Sequence, residues 1–131
     1  MDYKKSLEDI EKILTDLIEE NKTIPVIVEG EKDEEALRKL GLTGEILRFN
    51  TGMSVSDFCD KTSSKYKKVI MLSDWDRKGG HLCSLIKKNI ESRVKCNIKY
   101  RKLLAKNSTT RTVEGLPSWI NTIKEKTSLN V

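Results

Sequence analysis

Cysteine and histidine are scarce: Cys59, Cys83, Cys96 and the lone His81 are all that 131 residues supply. An odd number of widely spaced thiols builds no disulfide framework, and a structural zinc wants close pairs such as Cys-x2-Cys, so three free, semi-buried cysteines in a reducing compartment are expected. A surface polar role is expected for His81. Long apolar runs are missing as well; none approaches the roughly 20 residues that cross a bilayer. The opening Met1-Asp2-Tyr3-Lys4-Lys5-Ser6 leads into a charged amphipathic segment instead of a signal-peptide core. Cytoplasmic localisation without membrane association follows as an expectation. Internal repeats, low-complexity tracts and linkers are absent, and the length suits one domain, 1–131, with a real core.

Charge is plentiful but unevenly spread. The chain is 37% hydrophobic and 34% charged, with a formal net charge of +5. From Met1 to Lys22 acids outnumber bases seven to four, whereas from Lys61 to Arg111 there are fifteen Lys or Arg and three acids, two of them Asp74 and Asp76. Basic residues around a small acidic island suit a polyanion held over a metal. A solvated lysine-rich face is the alternative.

Leu7, Ile10, Ile13, Leu14, Leu17 and Ile18 recur at helical spacing and predict an amphipathic helix over about 6–20. Thr23 to Val28 reads as a buried strand, after which Asp33 is placed to cap a helix through Leu40 that Gly41 ends. Glu45 to Phe49 is a second strand; Ser54 or Ser56 caps a helix carrying Val55, Phe58 and Cys59. Lys68 to Ser73 is the best central-strand candidate, followed by a loop and a helix using Leu82, Leu85, Ile86 and Ile90. A fourth strand is expected near Asn97 to Tyr100, a mobile basic loop over Leu103 to Thr112, and a last helix after Pro117 with Trp119, Ile120 and Ile123 facing inward. Strands alternating with helices give an α/β fold with about four mainly parallel strands, covered on both faces.

Two acidic signatures stand where hydrophobic strands run out. Glu29-Gly30 with Asp33 follows Pro25-Val26-Ile27-Val28, and Asp74-Trp75-Asp76 follows Val69-Ile70-Met71-Leu72-Ser73. Parallel strand ends converge on one edge of the sheet, so these carboxylates can meet there, and carboxylates that crowd together favour a hard divalent cation. Asp74 and Asp76, two apart in an extended segment, are expected to point to one side and share it. Gly79-Gly80 lets the chain turn into a helix whose N–H groups face phosphate. Trp75 is expected to pack against the domain, with stacking on a base as the alternative. Arg77 and Lys78 are placed to hold a phosphate, with Arg101, Lys102, Lys106 and Arg111 extending the track and Lys32 joining from the first signature.

Val26-Ile27-Val28-Glu29-Gly30, Asp33, Asp74-Trp75-Asp76 and Gly79 together resemble the motifs of the Toprim domain, shared by type IA topoisomerases, bacterial primases, topoisomerase II enzymes, recombination mediators and the maturase of 5S ribosomal RNA. The resemblance covers roughly Ile24 to Tyr100, and the acidic first helix is similar to that of small stand-alone archaeal Toprim proteins. It implies a Rossmann-like Toprim core over about 24–100, Glu29 as general acid or base, and Mg²⁺, with Mn²⁺ as an alternative, held by Asp74 and Asp76 with Glu29 and Asp33. Lys78 and Gly80 stand where type IA topoisomerases have acids, and no covalent nucleophile is in evidence. A Mg²⁺-dependent nuclease or phosphotransferase on RNA or DNA is therefore expected, with a noncatalytic nucleic-acid or ribonucleoprotein binding module as the alternative.

Overall fold

A computed structural model describes residues 2–129; Met1, Asn130 and Val131 lie outside the described residues. Helix α1 (Tyr3–Asn21) leads into β1 (Val26–Val28), α2 (Glu31–Leu40), β2 (Ile46–Arg48), α3 (Val55–Lys65), β3 (Lys68–Met71), α4 (Arg77–Ile90), β4 (Lys95–Asn97), α5 (Lys99–Asn107) and α6 (Leu116–Leu129). The strands form one parallel sheet in the order β2-β1-β3-β4. This is the expected α/β, Toprim-like architecture.

Side chains alternate across a strand, so the central strands feed two cores. Val26, Val28, Ile70 and Leu72 join Ile10, Leu14, Leu17, Leu37, Leu104 and Ile120 on one face. Ile27, Val69 and Met71 meet Phe58, Cys59, Cys83, Ile86 and Ile90 on the other. Val26 to Val28 of β1 and Val69 to Met71 of β3 are buried on both faces, which is why these strands read as unbroken apolar runs. Cys59 and Cys83 are buried, Cys96 is half-buried, and all three are free thiols.

Several boundaries differ from expectation for physical reasons. Asp2 caps α1 by accepting from the Lys5 N–H, so that helix begins earlier than residue 6. The first strand begins at Val26, behind a buried Pro25. Helix α2 starts at Glu31, and Asp33 sits in its first turn accepting the Gly30 N–H at 3.1 Å instead of preceding the helix. Of the two serines, Ser54 caps α3. Gly41 ends α2 in the left-handed region, φ 112°, as its position suggested.

The largest departure is the segment after α4. The fourth strand is Lys95–Asn97, and Tyr100 belongs to α5, as does the first half of the supposed loop. Tyr100 and Leu104, four apart, are buried against the α1 side of the sheet, with Leu103 packed beside them. Interleaved Arg and Lys hide that helical spacing. Leu85 is 42% exposed and lies outside the core, whereas Ile120 and Ile123 are buried and the half-buried Trp119 packs against the core, facing inward as expected.

The lower end of the sheet is tied by a buried Asn21. Its amide donates to the carbonyls of Ile24 (3.1 Å) and Glu45 (3.0 Å) and accepts from the Gly44 N–H (2.9 Å). Asn21→Ala strands the Ile24 carbonyl and the Gly44 N–H, each costing about 1–3 kcal/mol when unsatisfied, whereas the Glu45 carbonyl keeps the Val26 N–H. A loss of about 2–4 kcal/mol in urea unfolding is expected; a loss within the noise of an ordinary surface substitution would contradict the role.

Candidate functional site

The chain leaves β1 toward β2 on one side and returns through α3 to β3 on the other, so the carboxyl ends of β1 and β3 flank the point where strand order reverses. Crevices of open α/β sheets lie there. Glu29 follows β1 directly, and Asp74 lies just beyond β3. The Glu29 carboxyl is pushed up to about 7 from its ordinary 4.5. Burial is the main cause, then a hydrogen bond shared with Asp74, then the negative charges of Asp74 and Asp33; Lys78 opposes them. Asp33 is also raised, first by burial, with the Gly30 N–H opposing and Asp74 and Glu114 adding repulsion. Three expected acids, Glu29, Asp33 and Asp74, thus lie near enough to feel one another's charge.

The loop carrying Asp74 is held from every side. Asp74 Oδ1 accepts from the Val113 N–H at 2.8 Å. Its carbonyl receives Arg101 Nη2 at 2.8 Å and Nε at 3.2 Å, and Nε also reaches the Ser73 carbonyl at 3.1 Å. The buried Ser73 hydroxyl donates to the Gly79 carbonyl at 2.8 Å. Gly79 lies against the Asp74 backbone, where a Cβ would collide with its carbonyl, which is why the motif needs a glycine there. Gly30 is different: a Cβ would meet no protein atom within 4 Å, leaving space beside Glu29 open.

Trp75 packs, as expected. Its ring joins the larger core, its N–H donates to the Arg111 carbonyl at 3.0 Å and its indole to the Thr110 carbonyl at 2.6 Å. Asp76 has a structural task that sequence reasoning did not assign. It caps α4, Oδ1 accepting from the Gly79 N–H at 2.7 Å, whereas Asp74 is turned toward Val113 and Glu29. Among the described residues, no three His, Cys, Asp or Glu side chains stand together as a ready metal cage.

The basic candidates separate into groups. Arg77 and Lys78 are exposed in the first turn of α4, and Lys32 is exposed in the first turn of α2. Arg101 is committed to the acidic loop's carbonyls. Lys106 is exposed on α5, Arg111 is exposed in the loop before α6, and Lys102 lines a different groove. His81 is exposed on α4. Sequence reasoning missed the segment 108–115, whose Val113 N–H fixes Asp74 and whose Glu114 acts on Asp33. Its one signal was Gly115, wedged against the Thr110 and Thr112 side chains.

Comparison with known proteins agrees with this geometry. The Toprim domain model matches residues 25–106, which include Glu29, Asp33, Asp74 and Asp76. The UPF0292 protein of Thermoplasma volcanium is 40% identical over 99 residues, covering 75% of this chain and 83% of that protein. Its counterpart in Methanocaldococcus jannaschii is 33% identical over 122 residues, 91% of this chain and 92% of that one. A solved structure of a protein from Aquifex aeolicus superposes with TM-score 0.70 at 24% identity, covering 79% of this chain and 94% of that chain, and shows the same fold. The chain therefore belongs to the Toprim domain family, alongside the small UPF0292 proteins. Membership gives it a metal-dependent, nucleic-acid-related role, and Toprim domains typically bind Mg²⁺. No helix among the described residues is long and apolar enough to cross a membrane.

The residues present fit such an ion. All the donors are carboxylate oxygens, as Mg²⁺ prefers; their crowding costs free energy that a divalent cation relieves; and an open set suits an ion that keeps several waters and binds through one or two carboxylates plus substrate phosphate. Asp74 would hold the ion together with Asp76, whose Oδ2 has no hydrogen-bond partner among the described residues, with Glu29 beside Asp74.

Because the folded chain holds the Glu29 proton more tightly than the unfolded chain, this group stabilises the fold fully below about pH 4.5, and that contribution is lost as pH rises through about 7. In metal-free protein, carboxyl-carbon NMR should give Glu29 a midpoint near 7. Asp74→Asn should bring it down toward 4.5 by removing a negative charge and supplying an amide donor to the carboxylate. A midpoint that stays put in the variant contradicts the pairing.

Proposed function

We propose that the protein is a small Mg²⁺-dependent nuclease acting on RNA or DNA. The observation that carries this is the Glu29–Asp74 pair at the switch point, with Glu29 raised to about 7 and Lys78 beside it. A carboxyl with that affinity gives and takes protons readily near neutral pH, which suits general acid–base catalysis. Ion bound at Asp74 and Asp76 would polarise the phosphodiester and stabilise the charge that builds on it. Arg77 and Lys78 hold the phosphate at the start of α4. Glu29 takes a proton from the attacking water as it adds to phosphorus, and returns that proton to the departing oxygen as the P–O bond to the leaving group breaks. Asp33 works through its charge on Glu29 while its own oxygen stays on the Gly30 N–H.

The diversion of Asp76 to a helix cap favours one other reading, a noncatalytic nucleic-acid or ribonucleoprotein module that uses the acidic pair for metal-assisted phosphate contact.

Purified protein incubated with labelled single-stranded, duplex and structured RNA and DNA, with Mg²⁺, Mn²⁺ or EDTA, separates them. Cleavage should require metal, and Glu29→Gln should lower it by about 10²- to 10⁴-fold while leaving binding nearly intact. Asp74→Asn with Asp76→Asn should abolish Mn²⁺ affinity. Asparagine caps helices as well as aspartate does, so at Asp76 the loss would not be one of folding. Nucleic-acid binding by the wild type with no metal-dependent product on any substrate would select the binding module.

A further inference from the structure

Away from the acidic pair, a groove of about 750 Å³ opens beside the edge strand β4, between the end of α1 and the start of α5. Lys68, Lys95, Lys99 and Lys102 line it. Lys68 and Lys95 are register partners at the amino ends of β3 and β4, and like charges directly opposite one another destabilise a sheet. Lys99 and Lys102 lie three apart on α5, where like charges repel again. Among the described residues none of the four ammonium groups is in an ion pair. The lining's one acid, Glu20, is engaged by the Tyr100 hydroxyl and the Asn97 amide instead of by a lysine. Half-exposed Ile24, Ile98 and Leu103 give the groove an apolar wall.

Two repelling lysine pairs on separate elements, converging on one groove without counter-charge, work against folding stability and call for an external polyanion. We propose that this groove is a second, metal-independent site for the phosphates of a nucleic-acid strand. Lysines meet successive phosphates as point charges, while the apolar wall covers sugar or base edges. A single phosphate would leave most of the four charges unanswered, so a strand is favoured over a free nucleotide. The site uses no carboxylate of the acidic cluster, so it stands or falls separately from cleavage.

Binding of a fluorescein-labelled 12-nucleotide single strand to the full chain is measured in EDTA against salt concentration, with ADP as the competing free nucleotide. Lys68→Gln with Lys95→Gln should weaken strand binding by roughly tenfold or more at low salt and lower the salt slope by about 1.4, the worth of two phosphate contacts on a single strand. The variant's thermal midpoint should not fall, since a repulsion is removed. Lys99→Gln with Lys102→Gln, on exposed helix positions, should behave alike and serves if the strand variant misfolds. Lys12→Gln with Lys88→Gln, exposed residues elsewhere that lower net charge equally, should leave the slope unchanged. Equal weakening by all three pairs, no weakening by either groove pair, or tight binding of ADP without binding of the strand would overturn the proposal.

Discussion

Two parallel strands lying side by side, β1 and β3, each deliver a carboxylate to the same half-buried space, and much of the local structure serves to keep them there. Repulsion and lost hydration would drive Glu29 and Asp74 apart into water. The Arg101 guanidinium on the loop carbonyls, the Val113 N–H on Asp74, the Ser73 hydroxyl and the close backbone approach at Gly79 prevent it. With the geometry fixed, relief comes through a proton or a cation. That is the physical link between the fold and a metal-dependent role on phosphate, and it explains why the acidic loop is tied to α5 and the segment before α6 as well as to the sheet.

Much of this was legible in the sequence because the informative residues obey local rules. Apolar runs ending in Glu29-Gly30 and in Asp74-Trp75-Asp76 mark central parallel strands with acidic residues beyond their carboxyl ends, and both strands are central in the sheet. The packing of Trp75 and the turn at Gly41 were also readable. What could not be read depends on long-range partners. Spacing offers Asp76 as a metal ligand but does not show that its Oδ1 also caps α4 through the Gly79 N–H. The α5 helix was obscured because its buried face, Tyr100 and Leu104, is narrow and the intervening residues are Lys and Arg. Segment 108–115 carries no periodic pattern, since its work is done by backbone groups meeting Asp74 and Trp75 across more than thirty residues of chain.

The basic half of the molecule is resolved into distinct surfaces. Lys78 acts on Glu29 of the acidic pair, with Arg77 exposed next to it in the first turn of α4; Arg101 has become part of the scaffold, and Lys102 turns with Lys68, Lys95 and Lys99 toward a groove of its own. Helix α5 thus faces both regions, one through Arg101 and the other through Lys99 and Lys102. Net charge alone could not distinguish these three uses of a cation.

The central claim is that the Glu29–Asp74 pair holds a proton near neutral pH that a metal must displace. Calorimetric titration of wild-type protein with Mg²⁺ at pH 7, repeated in buffers of different ionisation enthalpy, measures this directly. The account predicts release of about half a proton per ion bound, the share that a group titrating near 7 carries there. Binding with an enthalpy independent of buffer, and so without proton release, would contradict it.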